Sequence, residues 1–459
     1  MHSYFKLRWR SAWNYAQLGL LALPLTPFLG ILALLLACGQ TWQQHYRRII
    51  SRPLNWGLAV LSVWLVITAC FAYDRVSAFL GLFNFLPYFL VFAGFSALIQ
   101  TPTQLRQWAS ILVVTSVPVV LIGLGQMFWG WGYDLHILWI VLDWTVKPMG
   151  DPPGRMSSIF FYANVLAGYL VIVFSLALGL WIETYQILAL SFKPTIRLRH
   201  VAVTAWLRWG FLSVAVIGNL VALILTNSRN AWAIAVCIGL AFAVYQGWHW
   251  LVAGVAAIAG SVIWAAFGPS PVQQWLRTVV PAFFWARLTD QLYPDRPLAL
   301  RRETQWQFAW SLTQQRPWTG WGLRNFTHLY ETQMHLWLGH PHNLLLMLTA
   351  ETGIPGALLF CGWVIWVVIQ GVQLLRNWSS FSASATADRG STSPVNTAPG
   401  RQMAQDRLIF FSYLVAFLGC MLFNTVDVTV FDPRLNSLGW LLLSAISGVV
   451  YNRRANVSS

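Results

Sequence analysis

The chain alternates between long apolar runs and short polar intervals. Each run is close to the roughly 20 residues that a helix needs to cross a bilayer. The runs fall near residues 16–38, 53–72, 77–99, 108–129, 158–182, 203–226, 229–246, 249–267, 354–375, 407–429 and 435–451. This pattern predicts an all-α polytopic membrane protein with eleven or twelve spans. The count turns on the first run, where "LPLTP" places Pro24 and Pro27 in the middle. Proline removes a helix donor and clashes with the preceding turn, so the run is expected as a broken span or a re-entrant hairpin. A hairpin would return Lys6, Arg8 and Arg10 to the side of Arg453 and Arg454. No cleavable signal is expected, because the first run has no small-residue cleavage site and more spans follow it.

The polar intervals divide the chain into three blocks. Residues 1–267 are expected to hold the N-terminal transmembrane helices, residues 268–341 a large periplasmic loop bearing short helices, and residues 342–459 the C-terminal helices. The last block contains a stretch at about 377–405 rich in Ser, Thr, Ala, Pro and Gly. It cannot bury enough apolar surface to fold, and is expected as a disordered cytoplasmic linker. Lys193, Arg197 and Arg199 mark the 183–202 loop as cytoplasmic too, which puts 130–157, 227–230 and 268–341 on the opposite face.

Composition agrees with this picture. Hydrophobic residues make up 57% of the 459 positions and charged residues 9%, too little polar surface for a soluble domain. The net charge of +15 reads as basic loops that fix orientation. Nucleic-acid binding is not expected, because no soluble basic domain exists to carry it. Cys38, Cys70, Cys237, Cys361 and Cys420 lie in separate apolar runs and read as packing residues.

Some cations are not explained by orientation. The 268–341 segment holds seven arginines (Arg277, Arg287, Arg296, Arg301, Arg302, Arg316, Arg324) against four acids. On an outer face this excess suggests an anionic ligand, since guanidinium groups grip phosphate bidentately. Arg229, in "LTNSRNAW", lies at a membrane boundary, where it either serves function or snorkels to headgroups. Arg155 stands just ahead of a span on the same side. His342, in "HPHNLLLMLTAETGIPG", opens another. A free imidazole titrates near neutral pH, so His342 can be a proton acceptor. The alternative is an interfacial helix cap, with Pro341 and Asn343 starting the helix. Glu351 with "TGIPG" reads as a helix break, and a catalytic Glu351 is the weaker reading. No Walker loop, HExxH or Asp-x-Asp pair is present, so neither a metal nor another cofactor is expected.

Four stretches taken in order resemble the O-antigen ligase and polymerase superfamily of bacterial envelope glycosyltransferases. They are "RMSSIFFYANVLAGYL", "LILTNSRNAWAIAV", "RRETQWQFAWSLTQQRPWTGWGLRNF" and "PHNLLLMLTAETGIPGALL", with a fainter echo in "LFNTVDVTVFDPR". Arg229, Arg302 with Trp306, Pro317 with Gly320 and Gly322, and His342 with Asn343 fall at the family's motif positions. Asn230 departs from the pattern, which often has glycine there. The chain is also similar to a cyanobacterial branch, some of whose members were named as inorganic-carbon transporters. That branch lacks the His-Asn pair, and its presence here favours glycan chemistry.

The resemblance implies a multi-pass protein of the bacterial inner (plasma) membrane. It would transfer a glycan from an undecaprenyl-diphosphate-linked donor to a lipid or glycan acceptor hydroxyl, as a ligase or polymerase, without metal. It implies His342 as general base, Arg229 and Arg302 as a diphosphate clamp, and Arg155, Arg301 and Arg324 as further clamp candidates. Asn343, Glu351 and Trp306 would support them. Donor, acceptor and membrane lipids are the expected partners. The rival expectation is a transporter of bicarbonate or another solute.

Overall fold

The computed structural model of the protein describes residues 11–138, 142–191, 199–289, 297–378 and 398–458. Most of the linker expected at about 377–405 lies outside these residues, as do Lys6, Arg8, Arg10, Lys193, Arg197 and Arg296.

The apolar runs form helices, and among the described residues eight of these are long and apolar enough to cross a membrane. The expected all-α, multi-pass architecture is therefore present. The first run folds as two helices, α1 (Ala12–Ala22) and α2 (Pro27–Ile50), separated at the prolines and packed back on each other. The approach is so close that a Cβ on Gly30 would lie 2.4 Å from Leu23 Cα. The hairpin alternative raised by "LPLTP" thus describes the geometry better than one broken rod.

Next come α3 (Pro53–Cys70), α4 (Arg75–Gly81) and α5 (Leu86–Leu98), the last two joined by a single 3₁₀ turn. Helix α6 (Pro102–Phe128) starts with a capping box in which Thr101 and Gln104 satisfy each other's backbone donors. It is followed by the main irregular element, a hairpin of strands Tyr133–Ile137 and Leu142–Val146. Helix α7 (Ala163–Ser191) is central, with 83% of its most apolar window buried against neighbours that include α6, α8 (Arg199–Leu225), α9 (Arg229–Gln246) and α16 (Ala398–Asn424). Helix α10 (His249–Phe267) is peripheral, with 11% buried.

The 268–341 segment is largely structured. It contains α11 (Val272–Val279), α12 (Ala282–Leu288), α13 (Arg302–Gln315) and α14 (Asn325–Met334). The following helix begins ten residues ahead of the 354–375 run. Helix α15 runs Leu344–Arg376, because the Asn343 side chain caps it by accepting the Leu346 N–H at 3.0 Å. The last helix, α17, is Pro433–Ser458. Helices α2, α9 and α17 stand outside the eight apolar spans, since each carries polar or arginine-bearing turns at an end.

The two ends of the bundle differ. At one, Arg106 binds Glu183 at 2.6 Å and Asp406 at 2.8 Å, and Asn452 reaches the carbonyl of Gln100 at 3.2 Å. Arg47, Arg48, Arg376, Arg407, Arg453 and Arg454 lie at this basic end. The opposite end gathers the C-termini of α3, α6, α8, α10 and α16 with the N-termini of α7, α9, α15 and α17. It is tied by Met156 N–H to Leu225 O at 2.9 Å and by Tyr73 N–H to Trp321 O at 2.9 Å.

Candidate functional site

The opposite end is where the chemistry-bearing residues meet. The chain enters α15 through His340, Pro341 and His342. His342 adopts φ +52°, a left-handed conformation that costs a non-glycine residue about 1–3 kcal/mol and has to be imposed by its surroundings. Two contacts impose it. The backbone N–H of His342 donates to His340 Nδ1 at 3.1 Å, and Trp306 Nε1 donates to the carbonyl of Pro341 at 3.0 Å. His340 in turn lies flat on Phe431, with ring centroids 5.8 Å apart.

The His342 ring faces Asp427, in the turn between α16 and α17. Nδ1 is 3.0 Å from Asp427 Oδ1, and His340 Nε2 is 3.6 Å from the same oxygen. The other oxygen, Oδ2, accepts from Asn164 Nδ2 at 2.8 Å. Burial pushes the Asp427 carboxyl up, but the His342 hydrogen bond, both imidazoles and the Val428 N–H outweigh it and bring it down to about 2. Asp427 is therefore a carboxylate, and His342 Nδ1 must carry the proton between them. That tautomer leaves Nε2 as the basic nitrogen. Burial lowers His340 to about 4, against the attraction of Asp427 and with added repulsion from His342 and Arg302. It stays neutral, accepting at Nδ1.

The arginines join this core. Arg155 donates through Nε to the carbonyl of Thr226 at 2.9 Å and through Nη2 to Asn164 Oδ1, so it braces the residue that holds Asp427. Arg302 opens α13, one turn ahead of Trp306 and on the same helix face. With its carboxamide oxygen turned inward, Asn230 accepts from Arg302 Nη1 and Nη2 at 2.9 and 3.2 Å. Arg229 precedes it as the first residue of α9. The departure from glycine at 230 thus supplies a side chain that touches the loop arginine. Arg324, at φ +63° before α14, lies 6.0 Å from the Phe431 ring that carries His340. Arg301 is exposed at the N-cap of α13.

The Pro-x-x-Gly-x-Gly turn and Glu351 form the scaffold beneath. Helix α15 breaks at Gly353, φ +73°, and the turn is laced into the break. Ile354 N–H donates to Pro317 O at 2.8 Å, Trp321 N–H to Ala350 O at 2.9 Å, and Gly322 N–H to Glu351 O at 2.8 Å. A Cβ on Gly353 would lie 2.1 Å from Trp318 O. A carboxyl oxygen of the buried Glu351 accepts the Phe326 N–H at 3.3 Å, capping α14. This geometry gives Glu351 a structural task.

The structure therefore connects Arg155, Arg302, Trp306, Asn343 and His342 through a few contacts, with Arg229 and Arg324 beside them and Arg301 at the rim. It adds three residues that were not singled out from sequence: Asp427, Asn164 and His340. All three sit inside quoted stretches, Asn164 in "FYANVL", Asp427 in "NTVDVT" and His340 at the head of "HPHN". His340, His342 and Asp427 also place one ligand atom each within 4.8 Å of one another, a set able to hold a single cation. The repulsion that Arg302 exerts on a charged His340 would oppose a cation there as well.

Residues 214–361 match the family model described as O-antigen ligase. The matched stretch runs from α8 into α15, so it contains Arg229, Arg302, Arg324 and His342, while Arg155, Asn164 and Asp427 lie beyond it. No curated protein matches the chain.

Proposed function

Since residues 214–361 carry the signature of the O-antigen ligase superfamily, we propose that this multi-pass protein is a glycosyltransferase of the bacterial inner membrane. It uses an undecaprenyl-diphosphate-linked glycan as donor at the periplasmic face, and a lipid or glycan hydroxyl as acceptor. The observation that supports this best is the His342–Asp427 pair with arginines on both sides. The acceptor oxygen attacks the anomeric carbon and loses its proton to His342 Nε2, while Asp427 stabilises the imidazolium that forms. The bond from the anomeric carbon to the phosphate oxygen breaks, and undecaprenyl diphosphate leaves with its electrons. Arg229 and Arg302 hold the diphosphate and its growing charge, with Arg324 and Arg301 at the rim. Arg155 acts through Asn164, which positions Asp427. Attack from the face opposite the leaving group gives inversion.

The test is incubation of the protein in lipid nanodiscs with a lipid-linked oligosaccharide and candidate acceptors. Longer lipid-linked chains mark a polymerase, and transfer to a different lipid marks a ligase. Uptake of bicarbonate into proteoliposomes without any glycan transfer would replace this reading with a transporter.

A further inference from the structure

Helix α11 is amphipathic in a simple way. Seen down its axis, Val272, Trp275, Leu276 and Val279 fill one side, and Gln273, Gln274, Arg277 and Thr278 the other. Two residues of the polar side, Gln273 and Arg277, bind the protein. Arg277 Nε donates to Ala265 O at 2.8 Å, and Gln273 Nε2 reaches Ala266 O at 3.3 Å. These are carbonyls of the last turn of α10, which lack partners within their own helix. Arg277 also sits 4.2 Å above the Trp285 ring, fixing α12 to α11.

The apolar side is turned away. Trp275 is 63% exposed and Val279 64%. The surface beside it is the same in kind, since α10 buries little, and its last residue, Phe267, is also exposed. A membrane-spanning helix so bare has lipid on it. Helix α11 hangs from the last turn of that helix, where hydrocarbon gives way to headgroups and tryptophan concentrates.

We propose that α11 lies flat in the lipid–water boundary with Val272, Trp275 and Val279 in lipid, continuing the lipid-facing surface of α10. The occupant of this face is the bilayer, and no protein partner is needed to cover it. The placement has a mechanical consequence. Phe283 and Phe284 of α12 pack on Trp232 at 5.5 and 6.0 Å, and Trp232 stands one turn beyond Arg229. Lipid depth is thereby transmitted to the first turn of α9. On the glycan-transfer reading, which this consequence rests on, the seat sets the height at which the donor diphosphate is met.

The seat is tested without any transfer reaction. Photoreactive benzoylphenylalanine is placed at 275, 279 or 274 in the full chain, which is then illuminated in nanodiscs of phosphatidylethanolamine and phosphatidylglycerol. Mass spectrometry is expected to find phospholipid adducts at 275 and 279 and at least tenfold fewer at 274. Equal yields at all three positions, no lipid adduct at 275 and 279, or cross-links there to a second polypeptide would each overturn the proposal. Unchanged melting temperatures confirm that the variants are folded.

Discussion

His342 Nδ1 and Asp427 Oδ1 meet at 3.0 Å although the two residues are 85 positions apart. The contact fixes the imidazole tautomer as well as its position. Asp427→Asn preserves the shape and removes the charge, and the amide can present its N–H to the ring instead. Turnover is expected to fall about 10²–10⁴-fold while donor affinity changes less than about threefold. Initial rates and donor titration measure the two separately. Loss of donor binding with intact turnover would assign Asp427 to the donor.

The His342→Ala variant should behave in the same way, with binding retained and turnover lost. Normal turnover in a folded His342→Ala protein would leave the histidine as a helix-entry residue only.

Arg302 and Asn230 form a pair whose two halves can be tested separately. Arg302→Ala removes charge-assisted contacts of about 1.5–3 kcal/mol, and donor affinity should drop about 10- to 100-fold. Arg302→Lys should recover only part of this, since an ammonium lacks the two-pronged fork. Asn230→Gly leaves the guanidinium in place without its side-chain acceptor, so a smaller loss, confined to donor KM, is expected. A larger loss from Asn230→Gly than from Arg302→Ala would contradict this order.

Acid should loosen the site in a defined window. His340 is lowered from 6.5 to about 4, so its neutral form is favoured by folding. The stability it contributes is complete above about 6.5 and is lost as pH falls towards 4. Asp427, lowered from 3.8 to about 2, acts in the same direction further down, with its contribution present above 3.8 and lost towards 2. Melting temperatures in nanodiscs between about pH 7.5 and 4.5 should fall for the native chain and fall less for His340→Asn. Asparagine can still accept the His342 N–H but does not titrate. Parallel curves would remove His340 as the source.

On the proposed mechanism the arginines take the role of a metal at the leaving group, so transfer should survive EDTA. Activity lost on chelation and restored by Mg²⁺ or Mn²⁺ would assign His340, His342 and Asp427 to a cation.

What could be read from the sequence follows physical lines. Apolar runs fix spans because lipid demands helices of a set length, and Pro24 with Pro27 foretold the α1–α2 hairpin. Arg155, Arg229 and His342 stood out because each is polar at an apolar boundary, Arg302 through the arginine excess of its loop, and Trp306 only through the resemblance of its motif. The span read at 354–375 begins just past the Gly353 bend, and the segment ahead of it is the short helix that "TGIPG" and the Asn343 cap imply. Asp427 was missed. A carboxylate in a short polar turn is ordinary until folding brings it to a histidine, and neither local pattern nor spacing encodes that meeting. His340 stood next to His342, but its role depends on a positive φ that no propensity signals.

The reach from His342 to Asp427 also sets an order of events at the ribosome. His342 is synthesised and its helix inserted well before α16 exists, so a growing chain holds an imidazole with no carboxylate beside it. The pair closes only after α16 has crossed the membrane and its terminal turn has emerged on the far side. A chain truncated shortly before residue 427 would contain most of its helices and, on the proposed mechanism, still be chemically silent. On the proposed glycan-transfer reading, assembly of the reactive centre is thus one of the last acts of biogenesis, and an unfinished protein is kept from its lipid-linked donor.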